Sequence, residues 1–467
     1  VPRGTSLYSR VPPGEVSACQ FRSGQDVNLW PIEITSAKLT GVPPDIPATE
    51  RYLPPHIQVN GALRLKLRCV GGLNFSDLSG LDRLPIYLQG EEQIASKLFE
   101  LLHASAVATL TGVPGHMANQ PHVVAQQALV HEGLAPEQSL LPLTWNTWHG
   151  HNLLHEYFAC PSRFYFFALE QLAPGLKRIE GDEAEIIVLL TQNPIQMAGL
   201  VDKEQFALFC TPIINLFEQR TDRIELTPGQ PEFHLVPDRA RPRDLEVFSV
   251  SSIHAQKAST TESLEFRAMY QTLNQDEGNH GRYFSLRREP RLSSDTSRKY
   301  GTRTAYVGTE VFVSLVDQME VPYSDALRYL SVKALLTNRD LPRLIPRNGV
   351  NDLFAAESLP LKSIGLVRPP SAPKQPFAQG EAAWRLIRQL NFNYLPLVDM
   401  EGREGAQALR DMLRLYVNAD DHIMRRQIDA LIGSNVTPVT RRLPGVGPLV
   451  YGRGVQCNLM VDEDGFS

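Results

Sequence analysis

Cysteine is scarce and scattered here: Cys19, Cys69, Cys160, Cys210 and Cys457 are the only five in 467 residues. No two form a C-x-x-C pair, and an odd total fits neither a disulfide scaffold nor a zinc ribbon, so the reducing cytoplasm is the expected compartment. Charge of one sign is missing too. Lys and Arg number 46 against 51 Asp and Glu, a formal net charge of −5. That balance lacks the basic excess with which nucleic-acid binders displace counterions, so no DNA or RNA partner is expected. No apolar run approaches the roughly 18 residues a membrane helix needs, and no charged-then-apolar signal segment opens the chain, so no direct membrane insertion is expected. An initiator methionine is lacking as well. VPRGTSLYSR reads as mid-domain sequence, and further chain is expected upstream. Internal repeats and sustained heptads are absent.

What is present is length, alternation and proline. The 467 residues exceed one ordinary core, which implies several domains. HIQVNGALRLKLRCV sets Leu63, Leu65, Leu67 and Cys69 against Arg64, Lys66 and Arg68, the period of a strand with one wet face. LPIYLQG reads as another strand. The run after it, with Ile94, Leu98, Leu101 and Leu102, changes to helical spacing with acids in its first turn. FYFFALE and AEIIVLL are interior-strand candidates, and TAYVGTEVFVSLVD and YLSVKALLTNRDLP are strands further on. The expected organisation is a β-rich region over 1–253 with intervening helices, then a polar excursion over 254–303 read as a long loop or insertion. A second β-rich domain over 304–370 follows, then a stiff proline-rich linker over 371–380 and a helical-then-β region over 381–467. Trp384, Ile387 and Leu390, then Leu409, Leu413 and Tyr416, mark apolar helix faces in that last region. RRQIDALIG is read as a helix closing on its glycine, and VTRRLPGVGPLVYGRGVQCNLMVDE as one hairpin or two. The fold class is α+β: a β-rich, elongated, multi-domain protein with a more helical C-terminal region.

Candidate chemistry is thin. Cys210, His234 and Asp238 or Asp244 supply the residue types of a thiol hydrolase. Yet Phe206, Leu208, Phe209, Ile213 and Ile214 crowd the cysteine with apolar side chains, which favours a buried, inert thiol. HGHNLLHEYF places His151 and His155 four residues apart, the one-face spacing of a zinc helix, with His149 beside them. The glutamate a zincin needs is missing from both of its places, where Asn152 and Leu154 stand. No catalytic residue, cofactor or metal is expected. LPGVGPLVYGRG lacks the Gly-Lys-Ser/Thr end of a phosphate loop, and Asp462, Glu463 and Asp464 lack the alternation of a calcium loop. Between Arg282 and Arg303 lie seven cations against two acids. That segment is expected to be exposed and to meet a partner protein through Arg287, Arg288 and Arg291. The helix faces marked by Trp384, Leu409, Leu413 and Tyr416 are the other interface candidates, because under one hundred residues bury such faces poorly alone.

FCTPIINLFEQR followed by FHLVPDRARPRDLEVFSV closely resembles the signature of the TssF (VasA) family, a baseplate subunit of the bacterial type VI secretion system. VPRGTSLYS, LPPHIQVNGALRLKLR, LDRLPIYLQG, LLHEYFACPSRFYFFAL, TNRDLPRLIP, WRLIRQLNFNYLPL, RRQIDALIG and GRGVQCNLMVDEDGF continue the resemblance along essentially the whole chain. It implies structural work rather than catalysis. TssF-like proteins form wedges with a TssG-like subunit and a second TssF-like copy. With TssE-like and TssK-like partners these build the cytoplasmic baseplate, docked at the inner membrane, on which the tail spike and sheath assemble. One departure is Leu336, which stands where family members usually carry a cysteine before TNRDLP. The family also extends beyond both ends, so this chain is expected to be trimmed.

Overall fold

The computed structural model describes residues 1–46, 53–54, 56–117, 121–125, 127, 129–144, 148–257, 263–269, 280–292, 303–320, 322–374, 404–417, 421–442 and 450–465. The chain forms two compact units: Val1–Pro142 with Arg163–Gln375, and Leu143–Ser162 with Pro376–Ser467. Strands dominate the first and helices share the second with one hairpin, so the protein is a β-rich, multi-domain α+β structure. No helix among the described residues is long and apolar enough to cross a membrane.

The alternating stretch forms the strand Gly61–Cys69, with Leu63, Leu65, Leu67 and Cys69 inside. Each buried leucine contributes about 1.5–3 kcal/mol of transfer free energy, an upper figure because denatured chains already bury some surface. Its sheet runs in the order 32–40, 61–69, 183–190, 106–112, 122–124, antiparallel throughout. AEIIVLL becomes the central strand Glu183–Leu190, apolar on both faces because each face meets its own core. Ile186, Val188 and Leu190 join one cluster, while Ile187 and Leu189 join another. The first cluster also takes the buried stripe Ala95, Leu98, Leu101 and Leu102 of helix α1 (Glu92–Ser105). A four-stranded sheet ordered 206–208, 84–88, 166–169, 129–131 completes it. Glu185 is fully buried on the second face and is answered by Arg64, whose Nε lies 2.9 Å away and which also holds Asp45.

The larger sheet has eight strands. Its path is 217–220, 327–337, 246–257, 263–268, 282–290, 309–317, 233–235, with 224–225 also against 327–337. All neighbours are antiparallel except 263–268 and 282–290. This corrects the expectation of a loop over 254–303: strand residues Glu246–Lys257, Ser263–Ala268 and Arg282–Pro290 enter that stretch. Few aliphatics suffice there, because single inward residues on each strand, Ala255, Phe266 and Phe284, reach the core. The backbone pairing itself is indifferent to polar side chains on the other face.

A fourth sheet ties chain regions far apart in sequence: 213–214, 20–23, 6–9 and 353–355. Beside it Arg303 makes a charged hub. Nη1 lies 2.9 Å from Glu15 Oε2 and 3.1 Å from Asp244 Oδ1, and Nη2 lies 2.6 Å from Asp340 Oδ1. Ser17 donates to Asp244 and Thr304 to Asp340, each at 2.6 Å. Burial by itself raises the Asp340 carboxyl, but the hydrogen bonds from Arg303 and Thr304 outweigh it and hold the group below its ordinary range.

The second unit takes helix α2 (His149–Ala159) from the middle of the sequence and joins it to α3 (Glu404–Leu413), a tight turn Arg414–Tyr416 and α4 (His422–Asp429). Phe158, Tyr416, Val417 and Ile428 form its core, with Leu154, Tyr157, Leu413 and Met424 packed around them. Asp421 caps α4 by accepting from the Met424 amide at 3.2 Å. The helix read in RRQIDALIG stops at Asp429 rather than at the glycine. Leu431 already begins the strand Leu431–Arg442, which pairs with Tyr451–Val461 as a single long hairpin. Residues 375–380 of the proline-rich stretch, and Trp384, Ile387 and Leu390, lie outside the described residues.

Candidate partner interfaces

The hydrolase residues are each engaged elsewhere. Cys210 follows Phe209, whose φ of +59° turns the chain. The sulfur lies 3.6 Å from the Leu208 carbonyl oxygen, and burial pushes the thiol up to about 12, the opposite of activation. His234 is exposed on the strand Phe233–Leu235, its ring stacked on Phe312 at 5.0 Å. Asp244 belongs to the Arg303 hub, and Asp238 accepts from the Ala240 amide at 2.8 Å and pairs with Arg241. The hydrolase reading finds no support in these positions. Iodoacetamide labelling of the native protein, followed by mass spectrometry, is expected to modify exposed Cys457 first and half-buried Cys210 well after it, because the thiolate is the reacting form and burial disfavours it at Cys210. Equal rates at the two sites overturn that expectation.

His151 and His155 do share one face of α2, and both meet Tyr416. His151 Nδ1 lies 3.4 Å from the Tyr416 hydroxyl, and the His155 ring stands edge-on to it at 4.9 Å. Burial lowers the pKa of His155. No group of three or more metal-ligating side chains occurs among the described residues.

The basic strand is woven into its own sheet. Arg287 lies over the Phe312 ring at 4.7 Å, contacts Glu232 through Nε at 3.0 Å, and pairs with Glu289. Arg288 donates to the Val247 and Phe248 carbonyls at 2.8 and 2.9 Å and to Thr309 Oγ1 at 2.7 Å. Arg291 donates to the Pro242 carbonyl at 2.7 Å and lies 3.5 Å from Glu310. Sequence reasoning missed these partners because Glu232, Pro242 and Val247 are 40 to 55 residues away along the chain. In the second unit Leu409 and Leu413 are half-buried, whereas Tyr416 is buried against Phe158, ring centroids 5.7 Å apart and nearly parallel. Trp384 lies outside the described residues. What the sequence did not flag is the exposure of the hairpin: Tyr451, Val455, Leu459 and Met460 are all open to solvent. The alternation of its second strand was the available signal.

A family model for TssF of the type VI secretion system matches residues 1–467. The chain belongs to the TssF family. TssF1 of Pseudomonas aeruginosa, a type VI secretion system component, is 38% identical over 470 residues, an alignment covering all of this chain and 74% of that protein. The fold is similar to a chain in the cryo-electron microscopy structure of the type VI secretion system TssK-TssF-TssG baseplate subcomplex. The TM-score is 0.69 at 22% identity, with all of this chain and 79% of that one covered. TssF membership makes this chain a structural component of a secretion machine, not an enzyme.

Proposed function

We propose that the chain is a structural subunit of a type VI secretion baseplate, which forms wedges with a TssG-like partner and a second TssF-like copy. In this reading TssK-like and TssE-like proteins complete the baseplate on the cytoplasmic side of the inner membrane, and the contractile tail is built on it. The observation that carries it is the family match along the entire chain, joined to the likeness of fold to a chain solved within a TssK-TssF-TssG complex. Its architecture suits the role: several sheets, and a charged hub at Arg303 that joins Glu15, Asp244 and Asp340 from distant parts of the chain. Arg287 and Arg288 on the strand Arg282–Pro290, Arg291 just after it, and the residues Trp384, Leu409, Leu413 and Tyr416 are candidate contact regions. Coexpression with the TssG-like subunit of the same system is the test. A stable complex holding two copies of this chain per TssG-like subunit in native mass spectrometry is the expected result, and failure of the two proteins to copurify overturns the reading.

A further inference from the structure

The hairpin Leu431–Arg442/Tyr451–Val461 is a two-stranded ribbon with two unlike faces. Residues opposite one another in an antiparallel pair share a face, and successive residues alternate. The register pairs Val436 with Cys457, Pro438 with Val455 and Ser434 with Leu459 on one face, and Asn435 with Asn458 and Thr437 with Gln456 on the other. The first face is therefore apolar along its middle, through Val436, Cys457, Pro438, Val455 and Leu459, and ends toward the tip in Thr440, Arg453, Arg442 and Tyr451, whereas the second is polar apart from Val439 and Met460. Ser434 at the base of this face is buried and Val436 half-buried, but beyond them the face is uncovered: Val455 is 43% exposed, Leu459 50% and Tyr451 64%. A lone two-stranded ribbon is marginal in water, so an apolar face of this length calls for cover. Pro438 takes a donor from the outer edge of the first strand, which discourages cover by edge-to-edge strand addition and leaves the face itself.

Charge says what covers it. From Leu431 to Val461 the sequence carries Arg441, Arg442 and Arg453 and no acid, and all three arginines stand near the tip. At the base the chain turns through Asp462, Glu463 and Asp464, all exposed, with the Asp462 amide held by the Ala430 carbonyl at 2.8 Å. The ribbon is thus basic at one end and acidic at the other, a pattern complementary to itself when reversed. We propose that its apolar face is covered by the same face of a second copy of this chain. The two ribbons lie antiparallel about a twofold axis, so each arginine tip meets the acidic base of the other. This deepens the proposed function and rests on its reading that two copies share one assembly. Eleven residues at about 3.4 Å and two strands give a face of roughly 37 by 10 Å, or ~700 Å² buried in total. That is below the ~1,200 Å² of a stable free-standing interface, so the pairing forms where an assembly already holds the copies close.

Cys457 lies one residue from the middle of the second strand, on the apolar face, and is a free thiol. A twofold axis through that face brings the two Cys457 side by side. In the complex with the TssG-like partner, with Cys160→Ser to remove the half-buried thiol, a short bismaleimide is expected to join the two copies through Cys457. Val455→Asp with Leu459→Asp should abolish the link, while Thr437→Asp on the opposite face should leave it. Replacing Arg441, Arg442 and Arg453 by Glu should lower the yield about fivefold or more, as expected for loss of about 1 kcal/mol of charge pairing. Adding Asp462→Lys, Glu463→Lys and Asp464→Lys should restore it. Two copies in native mass spectrometry with no Cys457 link overturns the ribbon pairing and leaves the wedge reading standing. One copy per complex overturns both.

Discussion

Arg303→Met is expected to cost the first unit about 3–5 kcal/mol, because removing one member of a buried ion group strands the rest. Asp340 and Asp244 are buried and Glu15 is mostly covered, and the guanidinium is the cation common to all three. Methionine keeps the packing of the stem while deleting the charge. Arg303→Lys should recover only part of the loss, since an ammonium cannot fork toward three carboxylates. The pH dependence follows from the depressed Asp340 carboxyl. A group whose folded pKa lies below its unfolded value stabilises above the unfolded value, and that contribution fades as pH falls through the folded one. In the variant, Thr304 alone of the two side chains still opposes burial at Asp340, that carboxyl takes up a proton more readily, and the deficit relative to the parent should shrink from pH 7 toward pH 4. Urea unfolding at both values, followed by a probe in the first unit, measures it. A deficit under about 1 kcal/mol, or one equal at both pH values, contradicts the hub as the clasp of that region.

Tyr416→Ala is expected to loosen the second unit by about 3–5 kcal/mol while leaving the first intact. The ring stacks on Phe158, meets both His151 and His155, and sits with Val417 and Ile428 in a cluster of buried side chains. Deleting so large a buried ring leaves a cavity that its neighbours fill only in part. Hydrogen exchange should rise across α2 and α4, with amides of Gly61–Cys69 and Glu183–Leu190 as protected as before. Tyr416→Phe retains the ring and should cost less than about 1 kcal/mol, which separates packing from the hydroxyl contact. Uniform loss of protection across both units would show that Tyr416 supports more than its own core.

The strands were legible wherever one residue decides by its own polarity which way it faces. Leu63, Leu65 and Leu67 alternate with arginine and lysine, and they form a strand with those leucines inside. The α1 stripe and the closing hairpin were legible for the same reason. The Arg282–Pro290 strand was not, because its evidence lies in Glu232, Pro242, Val247 and Phe248, whose nearness is a property of the sheet and not of the segment. RRQIDALIG misled at its end because the glycine stop signal was outweighed by cross-strand pairing of Leu431 onward with Tyr451–Val461. The apolar setting that raises the Cys210 thiol could be read from its neighbours. Which residues of the two hairpin strands share a face could not, because that register is set by the pairing and not by either strand alone.

The route of α2 into the second unit has a consequence for synthesis. The ribosome completes this helix at Ala159, and among the described residues the helices it packs with begin at Glu404, roughly 240 residues later. At about 5–20 residues per second, Leu154, Tyr157 and Phe158 wait on the order of 10–50 s without Tyr416 or Ile428 to cover them. During that interval the sheets of the first unit are emerging and pairing, and an uncovered aromatic stripe is open to chaperones or to wrong docking. Nascent chains stalled before residue 404 are therefore expected to pellet more readily than chains released after Asp429, which fractionation of stalled ribosome complexes would measure.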